Sequence, residues 1–246
     1  MNKMTVSSII TKAAAEMGIA LPSAAAQMFT QYCDILMQRN EHVNLTAITN
    51  AEDIARLHFL DSLALLNTTQ FKNAKVLDIG SGAGFPGVVL KIAEPSLELT
   101  LLDATNKRIT FLKDLSQSLG IDATVIHARA EEASHSHSHN QELPNMREQY
   151  DIVVSRAVAQ LNVLCELCLP YVRVGGTFLA MKSVDSDDEL RSATNAIKLL
   201  GAELAEIAQY TIPDTNVRHR IIIIKKVSKT PDNYPRRFAR IEKKPL

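Results

Sequence analysis

Glycine occupies every second position of Gly80-Ser81-Gly82-Ala83-Gly84, directly after the apolar run Val76-Leu77-Asp78-Ile79. Glycine is needed where the backbone takes positive φ, or where a ligand must come closer than a Cβ permits. Three alternate glycines behind a strand therefore describe a loop shaped around a bound molecule. Gly87 follows, and Val88-Val89-Leu90 with Ile92 and Ala93 reads as a helix packed back on a sheet. The loop lacks the Gly-Lys-Ser/Thr ending of a phosphate-cradling P-loop. Gly82, Gly84 and Gly87 satisfy the dinucleotide pattern G-x-G-x-x-G only formally. Asp78 discriminates further. A buried acid beside the loop repels a pyrophosphate but can pair with an ammonium or sulfonium group. S-adenosylmethionine carries both cations and no phosphate, so the loop favours that cofactor, with Asp78, Gly80, Gly82 and Gly84 as candidate contacts.

A second acid supports this assignment. Leu99-Thr100-Leu101-Leu102-Asp103 reads as a strand ending in a carboxylate. It lies about 20 residues past the loop, where an acid accepts hydrogen bonds from ribose hydroxyls. Asp103 could equally serve as N-cap of the helix beginning near Lys107. Later, Pro170-Tyr171-Val172-Arg173-Val174 leads into Gly175-Gly176 and the strand Thr177-Phe178-Leu179-Ala180-Met181. A helix ends, Gly175-Gly176 turns the chain and an apolar strand follows, a pattern that resembles methyltransferases of the Rossmann-like class and is no signature of dehydrogenases.

From Lys75 onward the chain alternates strands and helices, the pattern of a parallel sheet with right-handed crossovers. Strands are predicted at Lys75–Ile79, Leu99–Asp103, Thr124–His127, Tyr150–Ser155, Gly176–Met181, Glu203–Tyr210 and His219–Lys225. The last two, joined without a helix, predict an antiparallel hairpin. The fold class is therefore α/β: a mostly parallel seven-stranded sheet preceded by a helical subdomain. Residues 1–70 form that subdomain, with helices at Val6–Met17, Pro22–Arg39 (proline near its first turn) and Ala51–Leu66. Residues 71–228 form the catalytic domain and residues 229–246 a basic tail. Within 134–149, Ser134-His135-Ser136-His137-Ser138-His139 lacks apolar anchors and reads as a solvated insertion, not a metal comb.

An apolar fraction of 46% suits a globular core. No early segment has a secretory layout, and no apolar run nears the roughly 18 residues that span a bilayer, so a cytoplasmic location is expected. Three cysteines argue against a disulfide framework. Cys165 and Cys168 form a lone C-x-x-C inside an apolar helical run, without a second ligand pair, so they read as core residues and no metal site is expected.

Four motifs then occur in order: Asn44-Leu45-Thr46; Arg56-Leu57-His58-Phe59-Leu60-Asp61-Ser62-Leu63; the loop from Asp78 to Gly87; and Val154-Ser155-Arg156-Ala157-Val158-Ala159. Together they resemble the bacterial 16S rRNA guanine-N7 methyltransferase G family, over nearly the whole chain. The His/Ser insertion and Phe238-Ala239-Arg240-Ile241 depart from it, which leaves the tail's conformation open. The resemblance implies methyl transfer from S-adenosylmethionine to N7 of one guanosine in the decoding-region hairpin of the small ribosomal subunit. It implies cofactor contacts at Gly80, Phe85, Ala130, Glu131 and Arg156. Phe85 could instead be a core residue, Glu131 a solvated helix start, and Arg156 half of an ion pair. Arg156 is the residue expected to act at the cleft mouth, and its loss is expected to stop transfer without unfolding the chain.

Charges balance at 27 basic and 27 acidic residues, which argues against an indiscriminate polyanion binder. Residues 218–246 hold ten Lys/Arg and two Asp/Glu, a local +8 suited to RNA phosphates or to a solvated tail. Cutting after Lys229 is expected to weaken RNA binding and spare the cofactor. Two other classes remain at this stage: an NAD-linked oxidoreductase, and a non-enzymatic RNA-binding module on a methyltransferase scaffold.

Overall fold

The computed structural model describes residues 5–134, 144–156 and 158–246. The helical part opens with α1 (Val6–Glu16), capped by reciprocal bonds between Thr5 and Ser8, and α2 (Ala25–Val43). Pro22 precedes α2 instead of entering it, its carbonyl accepting from the amide of Ala25 at 2.9 Å. The third helical stretch is not uniform. It runs as α3 (Ala51–Ile54), a π-helical turn (Ala55–Leu60), α4 (Asp61–Leu63) and a 3-10 turn (Ala64–Asn67). Such widened turns concentrate at functional sites.

The sheet strands are β1 (Lys75–Ile79), β2 (Glu98–Asp103), β3 (Ala123–His127), β4 (Tyr150–Arg156), β5 (Val172–Ser183), β6 (Ala202–Thr211) and β7 (Arg218–Lys226). Between them lie α5 (Gly87–Ala93), α6 (Asn106–Leu119), α7 (Ala130–Ala133), α8 (Leu161–Cys168) and α9 (Asp187–Leu199), and α10 (Phe238–Lys243) follows β7. The strand order is β3-β2-β1-β4-β5-β7-β6. The first five strands pair in parallel, and β7 runs antiparallel to both neighbours. The expected terminal hairpin is present, with its second strand inserted inside its first. A six-stranded parallel dinucleotide fold has no such strand.

Side-chain alternation sends successive residues to opposite faces. Val76, Ile152, Val154, Leu179, Ile221 and Ile223 join the N-terminal helices in one core. Leu77, Val153, Phe178, Ala180, Ile222 and Ile224 pack under α8 and α9 in the other. The uninterrupted Ile221–Ile224 run is thus a strand buried on both sides. Strand β5 starts earlier than the sequence suggests, at Val172, and a register shift against β4 between Tyr150 and Ile152 absorbs Gly175 at φ +85°. The glycine pair is a bulge within the strand, not a turn before it.

Cys165 and Cys168 are fully buried on α8 with free thiols, as core residues. Among the described residues no cluster suited to a metal exists, and no helix is long and apolar enough to cross a membrane. The imidazoles of His135, His137 and His139 lie outside the described residues. Residues 229–246 fold back on the domain: the fully buried Glu166 of α8 accepts from the backbone and guanidinium of Arg236 at 2.6–2.8 Å, and Ile241 is completely covered. Because Ile222 is fully buried in the second core, Ile222→Ala should lower stability by about 2–5 kcal/mol in denaturant unfolding.

Candidate active site

A cavity of about 490 Å³ opens where β1, β2 and β4 end. Strand order reverses between β1 and β4, the position at which open α/β sheets bind ligands. Of the residues singled out in the sequence, Gly80, Gly82, Phe85, Asp103, Ala130, Glu131 and Arg156 line this cavity. Asp78 and Gly84 do not. Gly84, at φ +96°, is glycine for the protein's own packing: a Cβ there would lie 2.6 Å from the Tyr32 hydroxyl. Among the loop glycines, Gly82 (φ +58°) is the one at which a Cβ finds open space, its nearest neighbour being the Gly80 carbonyl at 3.8 Å. The loop is therefore pared for two reasons, helix packing behind it and ligand approach in front.

Asp78 is fully buried behind the loop. Its Oδ2 accepts from the Gly87 amide at 2.9 Å, and its Oδ1 has no partner among the described residues. Burial raises its pKa to about 7, against the Gly87 hydrogen bond and the Arg156 charge that lower it. It lies behind the glycines and is not among the residues that line the cavity.

Asp103 lines the cavity and does not occupy the N-cap position of α6, which is Thr105. Its Oδ2 accepts from the Gly82 amide at 3.0 Å and its Oδ1 from the Thr105 amide at 2.8 Å, so it braces the loop. Arg108 Nη1 also approaches Oδ2, at 3.4 Å; of the roughly four acceptor positions of a carboxylate, about one remains for a ligand hydroxyl. Glu131, at the start of α7, is buried, and burial raises its pKa. Phe85 is both a core and a wall residue, with ring centroids 5.3 Å from Tyr32 and 4.5 Å from His58.

Arg156 is half committed to structure. Its Nη1 donates to Asp61 Oδ2 at 2.9 Å and to the Leu57 carbonyl at 3.3 Å, its Nη2 meets His58 Nδ1 at 3.1 Å, and its guanidinium lies 4.9 Å over the Phe85 ring. Asp61 is buried and shared: Oδ1 accepts from the Tyr210 hydroxyl at 2.6 Å and from His219 Nδ1 at 2.7 Å. Burial opposes ionisation of Asp61, yet His219, Arg156 and Tyr210 together hold its pKa below the usual carboxylate value. Removing Arg156 would leave a buried carboxylate short of one of its three partners, at a cost of about 3–5 kcal/mol. Arg156→Ala is therefore expected to destabilise the fold in addition to any loss of transfer.

Sequence reasoning assigned no role to Thr46, His58, Asp61, Arg129, Val158 or Phe238, although Thr46, His58, Asp61 and Val158 lie within the four quoted motifs. Asp61 lies behind Arg156, while the other five line the cavity. Phe238 comes from the basic tail, with Arg129 stacked 5.9 Å over its ring. The tail is therefore part of the cavity wall, and cutting after Lys229 would remove one of its lining residues.

Residues 25–219 match the family of rRNA small subunit methyltransferase G. The chain belongs to this family. An rRNA small subunit methyltransferase G of Alkaliphilus metalliredigens is 43% identical over 233 residues, covering 94% of this chain and 95% of the other. One from Clostridium beijerinckii is 40% identical over 240 residues, covering 97% and 98%. A solved methyltransferase from Pyrococcus furiosus shares the fold at TM-score 0.53 and 12% identity, covering 83% of this chain and all of the other. In this member of methyltransferase G, burial and the Arg156 charge push His58 down to about 4. Between the ordinary histidine value near 6.5 and about 4, the unfolded chain takes a proton that folded His58 refuses, so acid weakens the fold. Relative to His58→Gln, the wild-type protein should lose up to about 3 kcal/mol as pH falls through this window, measured by urea unfolding at several pH values.

Proposed function

We propose that this protein transfers a methyl group from S-adenosylmethionine to N7 of a specific guanosine in the decoding-region hairpin of 16S rRNA, acting on the small ribosomal subunit in the cytoplasm. The observation that carries this reading is a single cavity whose wall runs from hydroxyl-accepting Asp103 to the Arg156 and His58 cluster. Family membership supplies the class of reaction.

The residues present fit the cofactor. Gly82 leaves open space at the loop, Asp103 retains acceptor capacity beyond its bonds to Gly82, Thr105 and Arg108, and the unpartnered Asp78 Oδ1 lies close behind. Gly80 and Gly82 would pass the methionine part, Asp103 would hold the ribose, and Ala130 and Glu131 with Phe238 would enclose the adenine. When bound, the cofactor supplies an electrophilic methyl carbon on a sulfonium.

The protein's own groups need to move no proton. Guanine N7 carries a free lone pair on the major-groove edge, so nothing has to be removed before attack. His58 is unsuited to act as a base, because one ring nitrogen is occupied by Arg156 and the other by Thr46 at 2.7 Å. The contribution of these residues is placement at near-attack distance. Arg156 keeps N–H donors beyond those given to Asp61, Leu57 and His58, and these can hold phosphate or the base edge. The basic residues of 218–246 would meet RNA phosphates with salt-dependent affinity.

Calorimetry with S-adenosylmethionine, together with mapping of 7-methylguanosine in 16S rRNA from cells with and without the protein, tests this function. Binding to the folded protein and a site-specific loss of the modification are expected. Absence of both would refute it. Arg156→Lys, which retains a charge opposite Asp61, should fold and cut turnover at least about tenfold by losing the planar fork. Truncation after Lys229 should weaken cofactor binding as well as subunit binding.

A further inference from the structure

Thr46 is held at the cavity by the preceding helix. Asn44, the cap of α2, takes a left-handed φ of 52°, and the side chain of Asn40 clamps the turn. Asn40 Oδ1 accepts from the amides of Leu45 and Thr46 at 2.6 and 2.9 Å, and its Nδ2 donates to the Thr46 carbonyl at 2.9 Å. The Thr46 hydroxyl is thus positioned by backbone it does not control.

The direction of its hydrogen bonding follows from its neighbours. A guanidinium has donors and no acceptor. The Leu57 carbonyl, the other acceptor near the ring, already takes Arg156 Nη1 at 3.3 Å; read as a hydrogen bond, the 3.1 Å contact between Arg156 Nη2 and His58 Nδ1 makes Nδ1 the acceptor, and a neutral imidazole then carries its hydrogen on Nε2. That Nε2–H points at Thr46 Oγ1, 2.7 Å away, and donates to it. The amide of Ile48 donates to the same oxygen at 3.1 Å. Both lone pairs of the hydroxyl are occupied. Its own hydrogen remains, and no acceptor for it exists among the described residues. Thr46 Oγ1 is a donor facing the cavity, fixed in that role by Arg156 acting through His58.

The donor lies at the correct end of the cavity. Arg156 ends β4 and Asp103 ends β2, with β1 between them. Two strand spacings, about 10 Å, separate the ribose-accepting acid from the cluster that holds Thr46. Val158 shares this wall and is substantially exposed, an apolar face beside the donor.

We propose that Thr46 reads the target purine, its hydroxyl donating to the O6 carbonyl of guanine. This inference rests on the guanine-N7 reading above. On the edge that carries N7, guanine presents the O6 acceptor, whereas adenine presents an amino donor at the same place. A hydroxyl locked as donor accepts the first and is left facing a second donor with the other. It leaves N7 unencumbered for attack.

The test uses the full-length protein and 30S subunits assembled from unmodified 16S rRNA, with either guanosine or adenosine at the target. Thr46→Val should lower kcat/KM on guanosine about tenfold to a hundredfold and shrink the preference for guanosine over adenosine, with cofactor affinity unchanged. Thr46→Ser, which keeps the hydroxyl, should recover most of the loss. Unchanged turnover in Thr46→Val would overturn the assignment. So would an equal loss on both bases without rescue by serine, the outcome of a purely structural role. Nitrogen-15 NMR of wild-type His58 adds a check that needs no variant: a proton on Nε2 is expected, and one on Nδ1 would reverse the chain of donors and sink the proposal. If wild-type protein forms no 7-methylguanosine on the guanosine subunits, the reaction itself has been misassigned and Thr46 falls with it.

Discussion

The buried carboxylate of Asp61 is the interaction on which the rest of the site depends. It sits just past a π-helical turn of the N-terminal part and gathers groups from three strands: Arg156 from β4, Tyr210 from β6 and His219 from β7. Removed from water, it is tolerable only with these partners in place. Satisfying it fixes how the helical segment docks on the sheet edge. It also aims Arg156 across Phe85 and against His58, so one buried charge orders a wall of the cavity it does not line.

The glycine loop divides its duties in a similar way. Gly84 admits the Tyr32 hydroxyl from α2 and thereby lets the helical part pack close behind the loop. Gly82 faces the open side, where Asp103 holds its amide. A motif that looks uniform in sequence serves two surfaces, and the burial of Asp78 between them explains why its pKa rises to about 7. The C-terminal residues complete the opposite wall. Glu166 and Arg236 form a buried bidentate pair that anchors the chain, so that Phe238 can close the cavity near Glu131.

Much of this was legible from residues alone. Local pattern located all seven strands to within a few residues, because alternation and buried apolar runs are properties of short segments. The glycine loop and the acid at the end of β2 pointed to the cavity found at the strand ends, for the same reason. The exceptions have physical causes. Gly175 was read as a turn because a bulge inside a strand has the same composition as a turn. Asp78 and Gly84 lie off the cavity wall; sequence shows an acid and a bare backbone but not which side of the loop is open.

Sequence by itself determined the α/β class, the crevice at the strand ends and the chemistry favoured by the loop, since each follows from neighbours along the chain. Tertiary structure alone decided that β7 lies inside β6, that Asp61 binds residues 95 to 158 positions away, and that Phe238 belongs to the cavity. It also decided the protonation of His58 and hence the direction of the Thr46 hydroxyl. These depend on which donors and acceptors meet when distant segments are desolvated together, and no local pattern encodes that meeting.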